Sequence, residues 1–191
     1  MNIKSRYLAA LLGVASALCA DRVMAAPTVD FKAVRTEVVL SSTFLEAATA
    51  LGLNLQPVRP GRISKTKARF PVIAAELDLA NAKGEIQHSG GLRFSKNGTV
   101  VELTLFIIDT TGAPVLTGIV KANGSVVGRI PLFDLELPEL ALPIPQQSRL
   151  TVPGVAVKLS DEAATALNGA FSVSAFTEGL SIGTAKVILK R

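Results

Sequence analysis

The sequence predicts a mainly β fold, either an antiparallel β-sandwich or a strongly curved sheet, with two short helices. Three observations predict it. Turn residues recur at short intervals between residues 81 and 124, and the runs between them alternate apolar with polar side chains. Helix-start signals, by contrast, precede only the alanine-rich stretches near residues 43 and 160. Period-two burial with frequent turns is how antiparallel strands cover a core.

The chain opens on a leader. Lys4 and Arg6 precede an apolar run from Tyr7 to Ala20, and Val23-Met24-Ala25-Ala26 supplies small residues for cleavage. That order predicts a secretory signal peptide over residues 1–26, and an exported protein that is periplasmic or secreted. The run is short for a membrane span, which needs about 20 residues. Leu18 before Cys19 is not the small residue that a lipidated cysteine calls for, so Cys19 reads as part of the leader. Since Cys19 is the one cysteine, removing the leader leaves a mature chain without disulfides. The rest, residues 27–191, is expected to form a single β-rich domain with enough length for a core.

Charge excludes little. Removing Lys4, Arg6, Arg22 and Asp21 takes the formal charge from +5 to +3. Arg59, Arg62, Lys65, Lys67 and Arg69 form the one basic cluster. Such a cluster attracts phosphate or anionic lipid. It lacks the interleaved aromatics of a nucleic-acid module and is read as a solvated loop. No nucleic-acid partner is expected, and no later segment reads as a membrane span.

Along the mature chain, Thr28 to Leu40 is Val- and Phe-rich and reads as a strand. Thr43 and Glu46 have capping-box spacing ahead of an alanine-rich helix that Gly52 ends. Pro57 to Lys67 is expected to be a loop. Asn97-Gly98 is expected to join Leu92–Ser95 to Thr99–Asp109, and Asn123-Gly124 to join Val115–Ala122 to Val126–Leu137. Val101, Leu103, Leu105 and Ile107 share one phase, which leaves Phe106 and Ile108 on the polar face and predicts cover on both sides there. Pro138 to Pro145 reads as a connection. Val155, Val157 and Leu159 alternate into a second helix capped by Ser160, which stops near Asn168-Gly169. Ala170–Phe176 and Ile182–Leu189 read as closing strands. Ala47-Ala48-Thr49-Ala50-Leu51 recurs as Ala163-Ala164-Thr165-Ala166-Leu167, an imperfect internal echo.

Little catalytic chemistry is available. His88 is the one histidine, no serine sits in a G-x-S-x-G element, and the glycines form neither a phosphate loop nor a dinucleotide fingerprint. No short motif gathers carboxylates around His88 for a metal, so no metal site is expected, and a hydrolase acting on envelope material through paired carboxylates is the third and least favoured reading. His88 shares a strand phase with Ile86, Gly90, Leu92 and Phe94, so its ring is expected on the apolar side. Two accounts stand beside each other. One is a buried histidine with a backbone partner. The other is a pocket ligand, with His88, Ser89, Gly90 and Gly91 as the binding residues. A bulge at Gly90-Gly91 that exposes the ring is the remaining alternative.

From Phe70 to Val120, the strand, Gly84-Glu85-Ile86, His88-Ser89-Gly90-Gly91-Leu92 and the following hairpin resemble the HtaA-like domain. That resemblance implies an exported bacterial β-rich module, in a family where some members take up haem. It also implies iron ligation by a tyrosine with an assisting histidine. The one tyrosine here is Tyr7, in the predicted leader, and His88 is not assigned the tyrosine's role. The leading expectation is therefore a non-catalytic envelope or extracellular domain with a structural or partner-binding role and no cofactor. The alternative is a module binding haem, or another apolar ligand, in a pocket near His88.

Overall fold

The computed structural model describes residues 28–191. The predicted leader, 1–26, lies outside them. The chain runs β1 (Thr28–Leu40), α1 (Ser42–Ala50), β2 (Asn54–Val58), β3 (Arg62–Ser64), β4 (Lys67–Asp78), β5 (Lys83–His88) and β6 (Gly91–Lys96). It continues through β7 (Thr99–Asp109), β8 (Val115–Ala122), β9 (Ser125–Glu136), β10 (Arg149–Leu159), α2 (Asp161–Phe171) and β11 (Ser181–Lys190).

All strands join one antiparallel sheet, and that sheet closes. From β7 the order runs β5, β4, β1, β11, β10, β9 and β8, and β8 pairs back onto β7. The strongly curved alternative is thus carried to a barrel, which removes the open edge of each strand in the ring. The two Asn-Gly hairpins fall where the sequence places them. Lys96 pairs Thr99 and Ala122 pairs Ser125, and both residues of each turn have positive φ, as the tightest hairpin turn requires.

Next to this ring, one site is split. β5 lies between β4 and β7, but beyond His88 the chain bends away from β4 and β6 continues along β7. The gap between β6 and the first half of β4 is filled by β2, which pairs β6, and by β3, which pairs β4. The expected loop over residues 57–67 therefore holds strand on both sides of Pro60. Pro57 is accommodated because β2 pairs on one side only, where a missing amide does no harm.

Both rims are covered. Leu40 and Val157 face Gly183 across β11, so α1 and α2 leave from the same rim. Phe44 and Ala48 of α1 are buried, with Phe44 edge-on to Phe94 at 6.4 Å. Ala163, Ala164, Leu167 and Phe171 of α2 face the strands. At the other rim the proline-rich connection crosses the barrel, where Ile144 is buried and its amide donates to the Leu79 carbonyl at 2.7 Å.

Several local readings change. The cap of α1 is Ser41, whose side chain accepts from the Phe44 amide, so Thr43 and Glu46 lie inside the helix and form no capping box. The helix after Ser160 continues past Gly169 to Phe171, and Ser172 ends it in a left-handed conformation. Residues 172–180 are consequently not strand. Most informative is β7. Its alternation is interrupted at Leu105, which has φ 53° and points outward, and the register to β8 shifts between Thr104 and Ile107. One extra residue inverts the phase, so Val101 and Leu103 before the bulge, and Phe106 and Ile108 after it, all face the interior. Two-sided cover is not needed to explain Phe106 and Ile108.

Candidate functional site

His88 ends β5 with its side chain on the interior face, in phase with the buried Ile86, Leu92 and Phe94. The ring is 3 % exposed. Its Nε2 lies 2.7 Å from Thr36 Oγ1 of β1, so a side chain takes the role expected of a backbone partner. Nδ1 has no hydrogen-bond partner. Burial holds the pKa of His88 down at about 4, against opposing backbone oxygens of Phe106 and Ile86. At neutral pH this is an uncharged imidazole.

The space around it is small and apolar. Thr36 and His88 face Phe70, Phe106, Phe133 and the aliphatic residues of β10 and β11 across a cavity of about 40 Å³. Phe106 stands edge-on to Phe70 at 5.2 Å, an orientation the Leu105 bulge makes available. Such a volume holds about one water. A second cavity, of about 200 Å³, lies between α2 and Val101, Leu103, Val120 and Leu132.

The neighbours of His88 are placed by close backbone approach. Ser89 N donates to the Pro71 carbonyl at 3.0 Å. Gly90 has φ 82°, and a Cβ there would run into the Gly61 backbone. A Cβ at Gly91 would collide with the Leu103 carbonyl. These two glycines let the bend between β5 and β6 pass beneath the bend between β2 and β3. The structure brings His88, Gly90 and Gly91 into one buried corner, with Ser89 partly exposed at its edge.

Above this corner, where the sequence predicts a solvated basic loop, lies a built concavity. Arg59, Arg62, Lys67 and Arg69, with Pro57, Pro60, Gly61, Ile63 and Ser64, line an open concavity of about 620 Å³. β3 and β4 place Arg62 directly opposite Arg69 and Ser64 opposite Lys67. Arg69 shares Glu37 with Arg35, at 3.2 and 2.8 Å. The Arg35 contact leads the lowering of the Glu37 pKa. Among the described residues Arg59, Arg62 and Lys67 have no salt-bridge partner. A signal for this site exists in the sequence. Arg62-Ile63-Ser64 and Lys67-Ala68-Arg69-Phe70 alternate polar with apolar about the short turn Lys65-Thr66, which is a hairpin pattern.

Elsewhere, no group of three His, Cys, Asp or Glu side chains suited to a metal occurs among the described residues. No helix among them is long and apolar enough to cross a membrane.

No protein-family model and no curated protein sequence matches this chain. Solved structures do. The C-terminal domain of HtaA from Corynebacterium glutamicum superposes with a TM-score of 0.64 at 15% identity, covering 84% of this chain and 98% of that one. The N-terminal domain of the same HtaA gives 0.59 at 12% identity, over 83% and 98% of the two chains. The heme binding protein HtaB from Corynebacterium glutamicum gives 0.55 at 13% identity, over 86% and 96%. The chain therefore has an HtaA-like fold, and the resemblance seen from Phe70 to Val120 extends over the whole barrel. At these identities the likeness is one of architecture.

Haem needs an axial donor and a slot for a flat macrocycle. Among the described residues His88 is the one imidazole, and the chain's single tyrosine and cysteine, Tyr7 and Cys19, fall outside them. With Thr36 on Nε2 and about 40 Å³ of free space, the residues around His88 do not fit haem in this closed arrangement.

Proposed function

We propose that this chain is an exported, non-catalytic binding domain, in which the barrel is a sealed scaffold and recognition occurs on its outer surface. The observation that carries this reading is the pairing of the one interior histidine with Thr36 inside a cavity of about 40 Å³. A general base must reach a substrate proton, and a recognition donor must reach a ligand. His88 as folded reaches neither. Residues 1–26 act in this reading as the export leader, which delivers the domain to the periplasm or the medium. Titration of the purified protein with haem tests it: no saturable Soret shift is expected. A saturable shift that disappears in His88→Ala would overturn it.

A second reading has one observation in its favour. Nδ1 of His88 is unpaired and buried, and HtaB, described as a heme binding protein, has the same fold. In that reading β5 and β6 open at Gly90-Gly91 to admit haem or another apolar ligand beside His88, Ser89, Gly90 and Gly91. The same titration decides between the two.

A further inference from the structure

Like charges directly opposite one another on a sheet are destabilising. Arg62 and Arg69 are such a pair, and the strands that carry them are held in register by the turn at Lys65-Thr66. Glu37 answers only part of this charge, because it is shared between Arg35 and Arg69. No acidic side chain lines the concavity, whereas Arg59, Arg62, Lys67 and Arg69 all do. Its walls are two arms of cations, Arg59 and Arg62 on the β2–β3 side and Lys67 and Arg69 on β4.

We propose that this concavity binds a soluble chain of repeated phosphate groups. Guanidinium groups take phosphate oxygens two at a time, and lysine adds a point charge. A single phosphate neutralises only part of the site, and about 620 Å³ accommodates a ligand of several units. A bilayer is a poorer partner. The surface is concave, and Ile63, the one aliphatic side chain besides the prolines, is half-buried against the core. Single-stranded nucleic acid is also a poorer partner, since no aromatic side chain lines the concavity to stack a base. The proposal deepens the reading of a non-catalytic surface-binding domain by naming its ligand chemistry. It fails separately, because phosphate binding leaves the haem titration unaffected.

The test is calorimetric titration of the whole protein with inorganic tripolyphosphate, run beside a thermal melt. Saturable binding is expected, weakened by salt, with a rise in melting temperature at saturation. Arg62→Gln combined with Lys67→Gln should weaken binding at least tenfold and remove that rise. Without ligand, the same variant should melt at or above the wild-type temperature, because it relieves the repulsion. Arg59→Gln is an independent second variant that should also weaken binding, while Lys121→Gln on β8, outside the concavity, should not. Unchanged affinity in both groove variants overturns the proposal. So does tighter binding to anionic phospholipid vesicles or to an oligothymidylate than to tripolyphosphate. Equal weakening by Lys121→Gln also overturns it, by reducing the effect to net charge.

Discussion

Thr36 and His88 stand 52 residues apart in sequence, yet Thr36 Oγ1 and His88 Nε2 meet at 2.7 Å inside the barrel. This is the one side chain–side chain hydrogen bond between buried groups among the described residues. It ties β1 to β5 across β4, which lies between them in the sheet. The imidazole is kept neutral by its surroundings, with no acid near enough to favour the charged form.

That neutrality has a pH signature. Burial sets the folded-state pKa of His88 at about 4, below its ordinary 6.5, so the unfolded chain takes up the proton first as pH falls. His88 contributes its stability in full above pH 6.5 and loses it progressively from pH 6.5 towards 4. The slope approaches about 1.4 kcal/mol per pH unit in that window. His88→Gln keeps a polar partner for Thr36 and removes the titration. Urea midpoints between pH 7 and 5 should therefore fall more steeply for the wild type than for the variant. Parallel curves would falsify the assignment.

The two helix caps should differ in cost. Ser41 and Ser160 each accept from an amide three residues on, Phe44 N and Ala163 N at 3.1 Å. Each also donates to the neighbouring strand, Ser41 Oγ to the Ser181 carbonyl and Ser160 Oγ to the Pro131 carbonyl. Ser160 is almost fully buried, whereas Ser41 is partly exposed and water can replace its bonds. Ser160→Ala should destabilise by about 2 kcal/mol and Ser41→Ala by about 1 kcal/mol. Chemical denaturation of the two variants measures the difference, and equal losses contradict it.

Leu105 offers a test of the bulge. Its φ of 53° suits glycine, and its side chain is 52% exposed, so little packing is lost on removal. Leu105→Gly should leave the melting temperature unchanged or raise it, because relief of about 1 kcal/mol of left-handed strain offsets the added chain entropy. Leu105→Val, β-branched at the same φ, should lower it. If glycine instead lowers stability as in an ordinary strand, the left-handed turn in β7 is wrong.

Much of this architecture could be read from local pattern. The Asn-Gly turns, the bounds of β1, the cap at Ser160 and the inward phase of His88 each rest on a few adjacent residues. What escaped depends on contacts distant in sequence. Nothing in Leu105-Phe106 announces a bulge, because the residue that takes positive φ is a leucine. Closure through β7 and β8 is a property of sheet curvature. The basic concavity reads locally as a loop, because Pro57 and Pro60 argue against strand. Only when β2 is seen to pair on one side does that objection lapse. The inward phase of His88 is legible locally, but its partner Thr36 lies on a strand that no local rule connects to it.

The place of β11 has a consequence for how the molecule is made. It lies between β1 and β10, with Val187 and Leu189 in the interior. A polypeptide emerging from a ribosome, or threading through a pore, cannot shut the ring until residues 181–190 arrive. β1 can pair with β4 beforehand, but its other edge stays open until β11 is made. The order of the strands makes closure of the ring the last pairing the chain can complete.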